Sequence, residues 1–361
     1  MKFLLIVIFL SFLQPSTANA AENGSKDNPV NSTSVIYPKI VTQPLPHDTD
    51  DPAIWINKED KKKSLILGTD KDKDGGLYVF DLEGHILMDK TVRPLKRPNN
   101  VDVEYGLSLG GELIDIAAVT ERLTHKLRIF RLPDMSPVDN GGLEMFKGET
   151  GINERDLMGI ALYRRTGDGA VFAIVGRKTG PSGSYLWEYL LHDDGTGMVK
   201  ATLVRKFGEF SGKKEIEAIA VDDKLGYVYY SDEGVGVRKY YADPSKENKQ
   251  LALFATKGFV RDHEGISIYC DTSGTGYIIV SDQSANEFHI FPRQGTDDDP
   301  NSYPLLKVVK LDTHESDGSD VTSVALGDLF PEGLFVAMSD DRTFQYYSWE
   351  DIMPQKPETK R

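Results

Sequence analysis

One design recurs six times along this chain. An acidic or amide residue is followed by small residues and then by a short apolar run, and long helical patterns are scarce between the copies. The six are Asp50-Asp51-Pro52-Ala53-Ile54, Asn99-Asn100-Val101-Asp102-Val103, Asp156-Leu157-Met158-Gly159-Ile160, Glu217-Ala218-Ile219, Glu264-Gly265-Ile266 and Asp320-Val321-Thr322-Ser323-Val324. From Ile54 through Val103, Ile160, Ile219 and Ile266 to Val324, the steps are 49, 57, 59, 47 and 58 residues. A four-stranded propeller blade takes about 40–50 residues, and more when its loops are long. Runs rich in Val, Ile, Tyr, Phe and Trp, such as Val171–Val175 and Tyr277–Val280, alternate with Gly, Asp, Asn and Ser turns, which is an all-β pattern. The spacing therefore predicts an all-β fold, a six-bladed β-propeller with four-stranded antiparallel blades. Small residues in the repeated strands suit the crowded axis. Val35–Val41 is the expected closing strand, added to the last blade.

That topology gathers polar segments at one end. Strands in a blade alternate direction, so the start of each first strand and the turn between the second and third strands share a face. Those turns hold Asp70-Lys71, Glu121-Arg122, Arg177-Lys178, Asp232-Glu233, Asp282-Gln283 and Asp340-Asp341. Turn chemistry alone favours such residues, but it predicts a mixture around the ring. Instead the first three blades supply Lys71, Arg122, Arg177 and Lys178. The last three supply Glu217, Asp232, Glu233, Asp262, Glu264, Asp317, Asp320, Asp340 and Asp341. A basic arc facing an acidic arc marks this end as functional.

His47-Asp48-Thr49-Asp50-Asp51-Pro52 holds three carboxylates at the entrance of a strand. Carboxylates this close resist joint ionisation unless a cation lies among them, and hard oxygen ligands suit Ca²⁺ or Mg²⁺ rather than Zn²⁺. A solvated acidic loop is the plain alternative. The net charge of −14 argues against nucleic acid or an anionic membrane surface as partner and fits cation binding. Met1-Lys2, the apolar run Phe3–Leu13 and Ala18-Asn19-Ala20 have the layout of a secretory signal peptide. The expected organisation is a signal at 1–20, a mobile polar segment at 21–34 and one propeller domain at 35–355, in a protein that is secreted or periplasmic. Cys270 is the single cysteine, so no internal disulfide forms; it is expected as a small buried apolar residue.

His47–Trp55, Asn99-Asn100-Val101-Asp102 and Asp262-His263-Glu264-Gly265 together resemble the β-propeller phytases, the alkaline phytases, with matching blade order from about Val41 to Trp349. The resemblance implies a monomeric, calcium-dependent enzyme binding several Ca²⁺ ions. It implies hydrolysis of phosphomonoesters of myo-inositol hexakisphosphate (phytate) without a covalent phosphoenzyme. By position, Asp50, Asp51, Glu217, Glu233, Asp262 and Glu264 resemble ligands of the calcium cluster, Asn100 and Asp102 a metal-side pair, and Asp317 a calcium-site acid of the last blade. Lys71, Arg122 and Arg177 or Lys178 resemble the cations that grip substrate phosphates, with Lys73 as a substitute for Lys71. Asp50, Asp51, Glu217 and Lys71 are the expected catalytic set. Two positions depart from the pattern: Glu104, where the family commonly has Arg, and Met158, where a tyrosine often lies near a phosphate.

Phosphomonoester hydrolysis needs neutralised phosphoryl oxygens, an activated in-line water and a stabilised leaving oxygen. Calcium ions supply the first and help the water lose its proton, so no protein nucleophile is required and a neutral to alkaline optimum is expected. His47 borders the acids but reads as an exposed loop histidine, and His263 is expected to point away from the face. The alternatives are a propeller phosphatase for other phosphoesters, or a non-catalytic propeller that binds calcium and a ligand or partner.

Overall fold

The computed structural model describes residues 30–354, so the expected signal peptide, most of the polar segment after it and residue 355 lie outside the described residues. The described residues form six sheets. Blade 1 runs from Thr49–Trp55 at the axis through Leu65–Asp70 and Gly75–Phe80 to Val92–Leu95. Blade 2 starts at Pro98–Leu109, blade 3 at Leu157–Arg164, blade 4 at Ile219–Asp222, blade 5 at His263–Cys270 and blade 6 at Ser319–Thr322. Each of these six strands overlaps its predicted repeat: four begin one residue before it, blade 3 begins one residue into it, and blade 4 begins at its last residue, Ile219. All pairings within the four-stranded blades are antiparallel.

The ring closes as Ile40–Val41 pairs antiparallel with Thr343–Ser348, the third strand of blade 6. The closing strand is thus shorter than expected. Val35 and Ile36 belong to a separate strand, Val30–Ile36, which pairs parallel with Lys307–Leu311 on the outer edge of blade 5. Residues 30–34 of the segment expected to be mobile are therefore part of a sheet. A parallel addition covers the exposed edge of blade 5, and unpaired edges invite aggregation.

The core is divided rather than single. Among the described residues, each of six apolar clusters fills one interface between neighbouring blades. Blades 1 and 2 meet through Trp55, Leu67, Val119 and Phe130, and blades 6 and 1 through Ile66, Phe80, Val336 and Phe344. A middle strand therefore has a blade on either side, and Leu65–Asp70 and Leu334–Ser339 are buried along their whole length. This explains why continuous apolar runs, and not polar–apolar alternation, mark these strands. Cys270 ends its strand only half-buried, within 3.4 Å of Lys224 Nζ.

The innermost strands surround a narrow channel of about 130 Å³, lined by Asp51, Val101, Ile160, Ile219, Ile266 and Ser319, one from each blade. Carboxylates in this channel fasten consecutive blades. Asp320 accepts from the Ile54 N–H at 2.8 Å, Asp51 from Val101 at 3.1 Å and Asp102 from Leu162 at 2.7 Å. Blades 6, 1, 2 and 3 are joined in sequence by one carboxylate per junction.

Candidate functional site

The strand starts and turns at one end of the channel bring the acids together. Lys71, on the turn after Leu65–Asp70, is 15% exposed and reaches inward. Its ammonium donates to Asp50 and lies 3.2 Å from Asp317. Burial opposes that charge, but Asp50, Glu217 and Asp317 outweigh it and hold Lys71 well above the ordinary lysine range. Asp50 and Asp51 are pushed well above the carboxylate range, first by burial and then by neighbouring acids. Asn99 donates to Glu217 and, at 3.1 Å, to Asn100. Gln283 donates to Asp317.

Gly318 explains how Asp51 fits. A Cβ at this glycine would lie 2.3 Å from Asp51 Oδ1 and 2.7 Å from the Asp51 backbone, so no other residue allows blade 6 to approach that carboxylate this closely.

Beside this group, Glu215, Glu217 and Glu233 each offer an oxygen within 4.8 Å of the others, and so do Glu233, Asp262 and Glu264. Burial raises Glu233 to about 9, and Glu217, Glu215 and Asp262 add to the shift. Glu264 is raised well above its ordinary value, by burial and then by Glu233 and Glu217. Without a cation such carboxyls retain protons at neutral pH, whereas a cation among them lets them ionise together. Buried Asp50 Oδ2, Asn99 Oδ1 and Glu233 Oε1 have no hydrogen-bond partner among the described residues, a costly arrangement for polar atoms. Oxygen donors alone, several of them anionic, fit a hard divalent cation.

The basic residues do not form a separate arc. Lys71 lies among the acids, Lys178 pairs with Glu215 at 3.1 Å, and Lys214 pairs with Asp262. Arg122 is 8% exposed, and its Nη2 lies 2.6 Å from Met158 Sδ. Its Nε has no partner. Met158 thus occupies the space beside the guanidinium where the resemblance implies a tyrosine.

Three expectations need correction or refinement. Arg177 does not face the site. It is fully buried, donating to the carbonyls of Tyr185, Ser184 and Glu154 and pairing with Glu149 at 3.2 Å. Its side chain supports the long turn from inside, which leaves Lys178 as the residue of that pair on the face. Asp102 stands apart from the acid cluster, in the channel, with one oxygen on Val103 N–H and the other on Leu162 N–H, both at 2.7 Å. Burial pushes it to about 8. Lys73 is exposed and has no contact with the acids among the described interactions, whereas Lys71 does. Asn100 is buried beside Asn99 at the edge of the cluster. Asp232, counted in the acidic arc, is held by Arg238 and Ser211.

His47 pairs with buried Asp70 at 2.7 Å, which raises its pKa. His263 is buried, with Nε2 on the Ala255 carbonyl and its ring stacked on Phe259, away from the face. Glu104 is buried and hydrogen-bonded to Asp223; burial and then Asp223 raise it to about 9. Sequence reasoning missed Asn99, Lys214, Glu215 and Gln283. Lys214 and Glu215 lie three and two residues before the acid Glu217, which is the available signal.

A family profile described as Phytase matches residues 2–349. The 3-phytase of Bacillus subtilis (strain 168) is 31% identical over 320 residues, covering 84% of this chain and 80% of that protein. Among solved structures, BBS1N in its complex with ARL6DN is similar over 82% of this chain and 77% of that one, at 10% identity and a TM-score of 0.46, too loose a likeness to carry an argument. The profile spans nearly all of a chain whose acids and lysines converge at one end of a six-bladed ring, and on these grounds the chain belongs to the phytase family.

Proposed function

We propose that this chain is a calcium-dependent 3-phytase, a phosphoric monoester hydrolase releasing phosphate from myo-inositol hexakisphosphate. The observation that carries the reading is the convergence of Asp50, Glu217, Glu233, Asp262 and Glu264 with orphaned buried oxygens at Asp50 and Glu233. These residues, with Asp51 and Asp317, would hold the calcium ions. When bound, calcium neutralises phosphoryl charge and eases deprotonation of a water.

The chain's own residues do the rest. Lys71, Arg122 and Lys178 border the acids and attract the phosphates; pairing with carboxylates keeps the two lysines in place until a more highly charged anion arrives. Asn99 orients Glu217, and Gln283 orients Asp317. The basic groups lie beside the acids, which favours a substrate carrying adjacent phosphates. The same reading includes export directed by residues 1–20 and action as a monomer. Among the described residues no helix is long and apolar enough to cross a membrane.

The test is phosphate release from inositol hexakisphosphate by the chain from Ala21 onward, with added Ca²⁺ and then with excess chelator. Release that requires calcium is expected. No release by folded, calcium-loaded protein would overturn the proposal.

A further inference from the structure

The two carboxylate triads share Glu233, and each has a lysine on its outer member. Lys178 lies 3.1 Å from Glu215, and Lys214 donates to Asp262. Glu233 itself is 3% exposed, and its Oε1 has no hydrogen-bond partner among the described residues. The triads open onto one cavity of about 470 Å³, bordered by Lys178, Lys214, Asn153 and Glu264. Lys214 is loosely held: its side chain is 47% exposed, against 11% for Asp262, and Asp262 is its only recorded side-chain partner among the described residues.

An ammonium on a four-carbon stem is a mobile single charge. It contacts one carboxylate, Asp262, and acts on Glu233 and Glu264 only through space. A divalent cation can serve all three carboxylates at once, so it and Lys214 compete for Asp262. Both cannot sit there cheaply, because a cation beside a bound dication is repelled.

We infer that Lys214 is a built-in competitor for the metal. It caps Asp262 while the site is metal-free, is displaced into the cavity when a divalent cation enters, and there faces the substrate phosphates. Lys214 thereby sets the metal threshold of the site and couples metal binding to phosphate binding. This rests on the calcium-dependent reading proposed above.

The direction of the effect separates this role from a supporting one. A supporting residue weakens metal binding when removed, whereas a competitor tightens it. Calcium affinity is measured by calorimetry, without substrate, for the unaltered chain, Lys214→Met and Lys214→Arg. Loss of the charge is expected to tighten calcium binding by about three- to tenfold, the size of a partly exposed ion pair plus relief of repulsion. Lys214→Arg retains the competing charge and stays within about twofold of the unaltered chain. At saturating calcium, Lys214→Met raises KM for inositol hexakisphosphate by about threefold or more, with kcat less affected. Unchanged or weaker calcium affinity in folded Lys214→Met, with normal binding by the unaltered chain, overturns the competitor role alone. Tightened calcium binding with an unchanged KM overturns the coupling to phosphate. Absence of calcium binding by the unaltered chain overturns this inference and the calcium-dependent reading together.

Discussion

The Lys71 ammonium lies 3.2 Å from the Asp317 carboxylate, 246 positions later in the chain. The contact joins blade 1 to the loop entering blade 6 across the ring closure, and the same ammonium donates to Asp50. One cation therefore holds two acids that the fold brings together and their like charges would drive apart.

Lys71→Met removes this link and leaves Asp50 buried without a counter-charge. Breaking one side of a buried pair costs about 3–5 kcal/mol, so the chelator-treated variant should melt well below the unaltered chain. Calcium, which binds the native state, restores part of the loss. Phosphate release falls by about 100-fold or more even when calcium is saturating. Melting in the two conditions, with turnover, checks all three expectations.

Arg177 and Lys178 are adjacent but should respond in opposite ways. Arg177→Met leaves three backbone carbonyls and Glu149 without their guanidinium and should cost about 3–5 kcal/mol, seen as a lowered denaturation midpoint. Folded Arg177→Met keeps its KM. Lys178→Met melts normally but has a KM raised about tenfold. Equal KM effects from the two variants would contradict the assignment of Lys178 alone to the face.

Gly318→Ala places a methyl group where Asp51 and its backbone already lie. Overpacking against backbone costs about 1–3 kcal/mol. The larger consequence is displacement of Asp51, so calcium affinity should fall by about tenfold, measured by titration. Alanine at Gly167, where a Cβ would meet nothing within 4 Å and where φ, as at Gly318, is not positive, is a control for general glycine effects remote from the acids.

Stability of the metal-free protein should fall as pH rises. Burial raises Glu104 to about 9 and Asp223 to about 6 in the folded state. A raised carboxylic pKa means that the native state holds its proton more tightly than the unfolded chain does. The stabilisation is complete below about pH 4, the unfolded range, and is lost as pH climbs through 6 and 9. Melting temperatures of chelator-treated protein at pH 5, 7 and 9 should therefore decline in that order. Glu104→Gln, whose amide can donate to Asp223 without ionising, should flatten the alkaline part of the decline. An unaltered slope in that variant would assign the pH dependence elsewhere.

The sequence alone determined the architecture and the face. Six copies of an acid-then-apolar start, spaced at blade length, are a local pattern repeated along the chain, and strand alternation then dictates which end each start occupies. Asp50, Glu217, Glu233, Asp262 and Glu264 could be assigned to one face without knowing a single distance. Tertiary structure decided what each charge touches. Arg177 and Lys178 differ by one position, and which one turns inward depends on the register of the extended turn that follows them. Asp102 and Asp51 look alike in sequence and both line the channel, yet Asp102 is occupied by two backbone N–H groups, whereas Asp51 gives one oxygen to Val101, packs the other against Gly318 and feels Glu217. Lys71 and Lys214 join acids from other blades, and such pairs are set by side-chain reach across the ring. Periodicity records which way a strand faces; it carries no information about which distant carboxylate a flexible side chain will meet.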